Sequence, residues 1–176
     1  MKKRYIIISA LIILTLIFTG CGSTNSGSAN SGSKKIIEPE QLISKTEAQA
    51  LTKLTLKDGA KTEQAVVGQK IIFYDSDATN TGISFLQVSL TQQAFMPSGS
   101  SNTPQSIYNS IKSTISSTAR VEGLGDDAFF ATPGLHILSD GYYIVIAAGN
   151  SDKASVQTVL KEAGLLAVQH LKELIK

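Results

Sequence analysis

The chain has 176 residues, of which 42% are hydrophobic and 17% charged, which excludes an intrinsically disordered or collagen-like protein. A single long apolar run excludes a protein with several membrane spans. One cysteine and two histidines exclude an internal disulfide framework and a cysteine-based zinc cluster, and we expect neither a metal ion nor a cofactor.

The N-terminus has the pattern of a secretion signal. Lys2, Lys3 and Arg4 precede an uncharged, apolar run over residues 5–18. As a helix this run would be about 21 Å long, whereas a stable membrane span requires roughly 30 Å. We therefore expect a signal peptide over residues 1–20 rather than a permanent transmembrane anchor.

The end of this run resembles the bacterial lipobox. Gly20 immediately precedes Cys21, the only cysteine of the chain, although Phe18 stands where leucine is usual. The resemblance implies cleavage between Gly20 and Cys21 and acylation of Cys21, which becomes the new N-terminus. The alternative is an incidental thiol at the end of an uncleaved helix.

The segment after the signal has the composition of a flexible tether. Residues 22–33 contain no apolar side chain larger than that of alanine, so we assign 21–35 to the lipidated cysteine and a Ser/Gly tether. Without the three signal-peptide cations, 16 − 3 = 13 basic residues oppose 14 acidic ones, a net charge of −1. Nucleic-acid binding then lacks an electrostatic basis, and we expect no nucleic-acid partner.

Residues 36–176 have the patterns of a single domain. Pro39 and apolar residues at helical spacing predict a helix over about residues 39–54. β-Branched and aromatic residues predict strands over 66–74 and 83–91. The second strand has apolar residues on both faces, so we expect it to be central.

The second half of the domain repeats this alternation of strands and helices. After a polar loop over 97–104, isoleucines at every fourth position predict a middle helix that begins at Pro104. Short apolar segments on both sides of the Asp140-Gly141 pair predict a β-hairpin.

A 3.6-residue apolar period predicts a long C-terminal helix with its cap at Ser151 or Ser155. Gly164 is either a mild cost within it or a point of close approach to the sheet. The predicted fold class is therefore α+β: an antiparallel sheet packed with an N-terminal, a middle and a long C-terminal helix, similar to an α/β/α sandwich.

Gly123, Gly125 and Asp126 form a candidate turn motif before the last strands. They superficially match the G-x-G-x-x-G/A nucleotide-binding pattern, but an aromatic strand rather than a helix follows, so we predict a tight turn. With the lipobox, the tether and the element order, this turn resembles small Gram-positive lipoproteins of unassigned function, some of them similar to the PsbP-like α/β/α sandwich. The resemblance implies an envelope-surface protein and assigns no catalytic residue.

Two groups of acidic residues were candidates for chemistry. Asp75, Asp77 and Thr79 have the spacing of a calcium loop, but Asn80 and Leu86 stand where that loop needs Gly and Glu, so we expect a polar connection, with weak calcium capture as the alternative. Asp126 and Asp127 are adjacent in an extended segment and point to opposite sides, which is unsuited to joint acid–base catalysis.

Neither histidine belongs to a recognisable metal-binding pattern. His136 alternates with strand residues, and His170 falls on the last helix without a second histidine at i+4. We expect both to be hydrogen-bonded or exposed rather than to bind a metal.

Four apolar or aromatic residues are candidates for an interaction surface. Phe95 and Met96 fall in a polar loop, and the alternative is that they cap the edge of the core. Tyr142 and Tyr143 are neighbours in a strand, so we expect one in the core and the other on an exposed surface.

The sequence predicts a non-catalytic binding module, lipid-anchored at the extracytoplasmic face of the cell membrane, with an unknown envelope protein or polymer as partner. No G-x-S-x-G or S-x-x-K motif lies beside a plausible general base, so an enzyme is not expected. A carrier of a small molecule or lipid is the main alternative, because helices stacked on a sheet can open an apolar cavity. An undetected enzyme is the third hypothesis.

Overall fold

The computed structural model describes residues 35–77, 82–115 and 119–176, with the backbone alone at residue 119. In these residues the strands are β1 (Ala60–Gln64), β2 (Gln69–Asp75), β3 (Phe85–Thr91), β4 (Ala119–Arg120), β5 (Asp127–Ala131), β6 (Gly134–Ser139) and β7 (Tyr142–Ala147). The α-helices are α1 (Lys45–Thr52), α2 (Pro104–Thr114) and α3 (Ala154–Leu174). All strands belong to one antiparallel sheet in the order β1-β2-β3-β7-β6-β5-β4. This is the predicted α+β fold.

The larger core lies between one face of the sheet and helices α1 and α3. Strand positions alternate between the two faces, and the even-numbered residues of β2 and β3 point toward these helices. α3 contributes a continuous apolar stripe at helical spacing. The buried apolar side chains of this stripe are Val156, Leu160, Ala163, Ala167, Val168 and Leu171.

The opposite face of the sheet is covered over only part of its width. α2 packs on β6 and β7, and its Tyr108 forms a second, smaller core with Phe129 and Tyr143. On the β2 and β3 side of the same face, Ile71 and Phe73 are only half-buried. The two faces therefore differ: one is a continuous core, and the other is covered by an α-helix only on its β6 and β7 side.

A buried amide fixes the beginning of the described domain to the end of β3. Gln92 accepts a hydrogen bond from the Ile37 amide at 2.8 Å through Oε1 and donates one to the Ile37 carbonyl at 2.7 Å through Nε2. Both residues are buried. Because each polar group of the Gln92 side chain has a backbone partner, its burial is compensated.

The expected single helix over residues 39–54 is wrong. The chain forms a 3-10 turn over Pro39–Gln41 and then begins α1 separately. Ser44 is extended and accepts a hydrogen bond from the Glu47 amide, while the Glu47 carboxylate accepts one from the Ser44 amide. This reciprocal capping box starts a new helix and explains the division.

Three other boundaries differ from the predictions. Residues 65–67 form a 3-10 turn rather than the start of a strand, and β1, which was not predicted, precedes them. Every residue of β1 is exposed, so its sequence lacks the apolar alternation by which strands are recognised. α3 begins after Lys153, which makes no side-chain capping bond, rather than after Ser151 or Ser155.

The two predicted turns are confirmed. Asp140 and Gly141 have φ values of 52° and 77° and join β6 to β7 by the kind of turn that matches strand twist. Gly125 has a φ of 62°, and a Cβ there would collide with the Leu138 carbonyl. Asp126 completes this turn, since its carboxylate accepts a hydrogen bond from the Asp140 amide at 2.9 Å.

Gly164 lies where α3 approaches the sheet closely, which is one of the two alternatives predicted from the sequence. A Cβ at this position would lie within 3.0 Å of side-chain carbons of Leu124, Leu135 and Ile137.

We expect Gly164→Leu to lower the free energy of unfolding by about 1–3 kcal/mol through overpacking, as measured by urea denaturation. Glu162→Leu adds the same side chain at an exposed position of α3 and should change stability by less than about 0.5 kcal/mol. Equal effects of the two variants would contradict this account of the packing.

Candidate functional site

A groove of about 410 Å³ lies where α2 leaves the sheet uncovered. One row of paired residues crosses its floor, because Ile71, Ser89, Val145 and His136 lie opposite one another on β2, β3, β7 and β6. The wall on the α2 side is formed by isoleucines. The described residues that line the groove are Val67, Gln69, Ile71, Gln87, Ser89, Thr91, Ile107, Ile111, Thr132, Pro133, His136, Tyr143 and Val145.

The alternation of β3 explains why the floor of the groove is polar. Gln87, Ser89 and Thr91 point into the groove, whereas the intervening Leu86, Val88 and Leu90 point into the larger core. Such alternation is typical of a strand with one face in water. Here α2 and the neighbouring strands bury the polar face as well, and Ser89 and Thr91 are only 3% and 2% exposed.

The hydroxyl of Ser89 is the least satisfied polar group of the groove floor. It is buried and makes no hydrogen bond with any residue that the structure describes. A buried polar group without a partner costs about 1–3 kcal/mol relative to a satisfied one. A ligand group that met this hydroxyl after a rotation of the Ser89 side chain toward the groove would recover this cost.

His136 and Tyr143 form a buried pair at the α2 side of the groove. His136 Nδ1 and the Tyr143 hydroxyl are 2.7 Å apart, and the imidazole stacks on Phe129 with 4.8 Å between ring centroids. The other ring nitrogen of His136, Nε2, makes no hydrogen bond of ordinary geometry in the described part of the chain. The rings of Phe129 and Tyr143 both stack on the His136 imidazole, and the contact with the Tyr143 hydroxyl fixes its orientation.

Both members of this pair are neutral near pH 7. Burial lowers the pKa of His136, although the nearby carbonyls of Thr132 and Ala131 act in the opposite direction. Burial likewise raises the pKa of Tyr143 above its ordinary value. The groove therefore contains no charge from its own titratable side chains.

Ser89 and His136 are too far apart to form a nucleophile and its base. β7 lies between their strands, so their backbones are separated by about 10 Å, two inter-strand spacings. A serine nucleophile requires a base within hydrogen-bonding distance. The position of the two residues on one floor supports contact with a shared ligand rather than covalent catalysis.

The charged residues near α2 are paired outside the groove. Lys112 forms an ion pair with Asp127, and the Arg120 guanidinium lies 3.9 Å from the same carboxylate. Although burial raises the pKa of Asp127, its hydrogen bond with Lys112 brings it below its ordinary value. Asp127 is thus a structural partner of α2.

The two tyrosines predicted as candidates lie on opposite faces of the sheet, but neither is exposed. Tyr143 lines the groove, and Tyr142 packs in the larger core. Their exposed fractions are 3% and 5%. The expectation that one of them is exposed is wrong, because helices cover this part of β7 on both faces.

Phe95 and Met96 lie at the edge of the core. A 3-10 turn over Gln93–Phe95 brings both residues back toward the domain. Met96 is buried against Gly68, and the half-buried Phe95 ring lies 4.7 Å below the Lys70 ammonium. Both residues therefore cap the edge of the core, which was the alternative to an interaction surface, and they do not line the groove.

The remaining candidates have structural partners. Asp75 and Asp77 both form ion pairs with Lys57, at 3.3 and 2.5 Å, and hydrogen bonding to Asp77 and Asp75 raises the pKa of Lys57. The His170 Nδ1 lies 3.0 Å from the Leu42 carbonyl oxygen. Gly123 and Gly125 belong to the turn before β5.

Several predictions concern residues outside the described ranges, namely Thr79 and Asn80 of the calcium-loop comparison and Gly20 and Cys21 of the lipobox. Within residues 35–77, 82–115 and 119–176, no helix combines the length and hydropathy of a membrane span. The same ranges contain no cluster of three or more side chains suited to holding a metal ion.

Sequence reasoning did not identify Ser89, Thr91 or Gln87 as site residues. Their signal was the polar alternation of β3 opposite its apolar face. That pattern also describes a strand face in water, so the sequence did not show that the face is half enclosed. Comparison of the chain with protein-family models, curated proteins and solved structures finds no match.

The neutral state of His136 predicts a loss of stability in mild acid. Its pKa is lowered in the folded protein, so the unfolded chain binds more protons as the pH falls below about 6.5. The stabilisation is complete above that pH, and the free energy of unfolding should fall between pH 7.5 and 5.5 as the unfolded chain takes up the proton.

Urea denaturation at these two pH values tests this prediction. His136→Phe retains a ring against Phe129 and should reduce the loss between the two pH values. His170→Gln is the control and should retain it. An unchanged pH dependence in His136→Phe would show that the titration of another group causes the loss.

Proposed function

We propose that this protein is a non-catalytic binding module, lipid-anchored at the extracytoplasmic face of the cell membrane, and that the groove beside α2 is its binding site. The observation that carries the proposal is the half-enclosed floor, where the buried Ser89 hydroxyl has no partner among the described residues. A volume of about 410 Å³ is within the range of small-ligand pockets, roughly 300–1,000 Å³.

The arrangement of polar groups supports binding rather than catalysis. His136 is oriented by Tyr143 instead of by a carboxylate, and Ser89 lies two strands away from it. Neither group is activated for nucleophilic attack. Hydroxyls and amides on a rigid floor are suited to orienting a ligand.

The proposed anchor is supported by the sequence of the N-terminus. Cys21 follows a short apolar run and precedes a Ser/Gly segment. Each buried methylene of an acyl chain contributes about 0.8 kcal/mol to membrane affinity, so two or three chains give persistent attachment. The tether would hold the domain close to the membrane, where an envelope protein or polymer is within reach.

A small-molecule carrier is the second candidate function, and the size of the groove favours it. A lipid carrier is less compatible with this floor, because an acyl chain would cover Ser89, Thr91 and Gln87 without offering them hydrogen bonds. The two functions are distinguished by the species bound in the groove. A bound small molecule supports the carrier, and a bound protein or polymer supports the interaction module.

The anchor predicts that Cys21→Ala releases the protein from the membrane. The substitution removes the thiol to which diacylglycerol would be attached. Fractionation of cells, with metabolic labelling by a palmitate analogue, should show label and membrane attachment in the wild type and neither in the variant. Phe18→Leu, which gives the usual lipobox residue, is the control and should retain both. Unlabelled wild-type protein would contradict the lipoprotein assignment.

The binding role predicts that photo-cross-linking from the groove captures a bound molecule. A diazirine amino acid in place of Ile111, which lines the groove, should form an adduct in cells, and the adduct mass distinguishes a small molecule from a macromolecule. The same amino acid in place of Leu165, which is exposed on α3, is the control. Equal labelling from the two positions, or none from position 111, would count against the groove as the binding site.

A further inference from the structure

We propose that the groove binds an uncharged amide with an aliphatic side chain, of the kind that an uncharged peptide segment presents. This inference deepens the proposed function and depends on the groove being the binding site. It follows from three properties of the lining: the absence of charge, the pairing of donors with acceptors, and the aliphatic walls.

The lining excludes charged ligands on electrostatic grounds. Among the described residues that line the groove, none is Asp, Glu, Lys or Arg. The two titratable groups, His136 and Tyr143, are buried and neutral. A carboxylate, phosphate or ammonium group on the floor would lose its hydration without gaining an opposite charge, which is strongly unfavourable.

The polar groups of the groove are matched to an amide. Gln69 and Gln87 each offer a carbonyl acceptor and an NH₂ donor at the half-buried rim, and Ser89 and Thr91 offer hydroxyls on the floor. A ligand with donors alone would leave the NH₂ groups of both glutamines unpaired, and one with acceptors alone would leave their carbonyl oxygens unpaired. An amide has both within one planar unit and can form reciprocal hydrogen bonds with a glutamine side chain.

The spacing of these groups favours an extended ligand along β3. Gln87, Ser89 and Thr91 follow one another at every second residue, so neighbours are about 6.8 Å apart. Groups on one side of an extended polypeptide repeat at the same interval. A peptide segment lying along β3 could therefore meet successive polar groups in register.

The walls of the groove are aliphatic rather than aromatic. Ile107 and Ile111 from α2 face Ile71 across the groove, and Val145 forms the floor between Ser89 and His136. The rings of His136 and Tyr143 are packed against Phe129 and Tyr108. A leucine-like side chain would bury its methyl groups against these walls.

Three probes of nearly the same shape test the inference. N-acetyl-leucinamide is neutral, N-acetyl-leucine is an anion, and leucinamide is a cation at pH 6.5. Binding to the ¹⁵N-labelled, acylated full chain in detergent micelles is followed by NMR titration. We expect N-acetyl-leucinamide to shift the amide signals of Ser89, Thr91 and Val145 saturably, and both charged probes to bind at least about tenfold more weakly.

Two variants connect binding to the groove. Ser89→Ala removes the floor hydroxyl and should weaken binding of N-acetyl-leucinamide, whereas Ser101→Ala in the exposed loop should not. If Ser89→Ala does not fold, Ile111→Glu at the rim replaces it. The added carboxylate should reverse the preference so that leucinamide binds better than the neutral probe.

The outcomes separate this inference from the proposed function. Equal binding of all three probes, or no shift of the amide signals at the solubility limit of N-acetyl-leucinamide, would overturn the ligand class. N-acetylglucosamine is titrated as a fourth probe, and tighter binding of this sugar than of N-acetyl-leucinamide would also overturn it. If cross-linking from position 111 succeeds in the same protein, the groove remains the binding site and only the ligand class fails. If cross-linking also fails, the proposed function fails with it.

Discussion

The antiparallel pairing of β3 with β7 is the constraint on which the remaining structure depends. It joins Ser89 to Val145, residues 145 − 89 = 56 positions apart, and brings the N-terminal strands beside the C-terminal hairpin. Without this pairing there would be two small sheets, each with an unpaired edge and half of a core. With it, the buried faces of β2, β3, β6 and β7 become one surface that α1 and α3 can cover.

The position of α2 over one side of the sheet produces the groove. α2 packs on β6 and β7, and the described part of the chain places no α-helix on the same face of β2 and β3. The groove runs along the side of α2 that carries Ile107 and Ile111, in the middle of this 11-residue helix. A groove with a rigid floor and one helical wall is the direct result, and no separate lid is needed to form it.

The parts of the fold that were predictable from sequence are those with a strong local signal. α3 has a 3.6-residue apolar period, the β6–β7 hairpin has Asp140-Gly141, and α2 has Pro104 after its cap, so each was placed correctly. β1 was missed because an exposed edge strand has no apolar alternation, and its position is determined by pairing with β2. The candidate site was predicted only in part, through Tyr143. Burial of Ser89 and Thr91 depends on where α2 packs on the sheet, which is a tertiary property that the sequence of β3 does not contain.

The buried Gln92 amide connects the first described residues of the domain to the strand that carries the groove floor. Its two hydrogen bonds hold Ile37, the third residue of the described domain, against the end of β3. Thr91, the neighbour of Gln92, points to the other face and lines the groove. Ile37 is thus fixed at the Thr91 end of the groove but on the opposite face of the sheet, so this contact holds the end of β3 in place without occupying the groove floor.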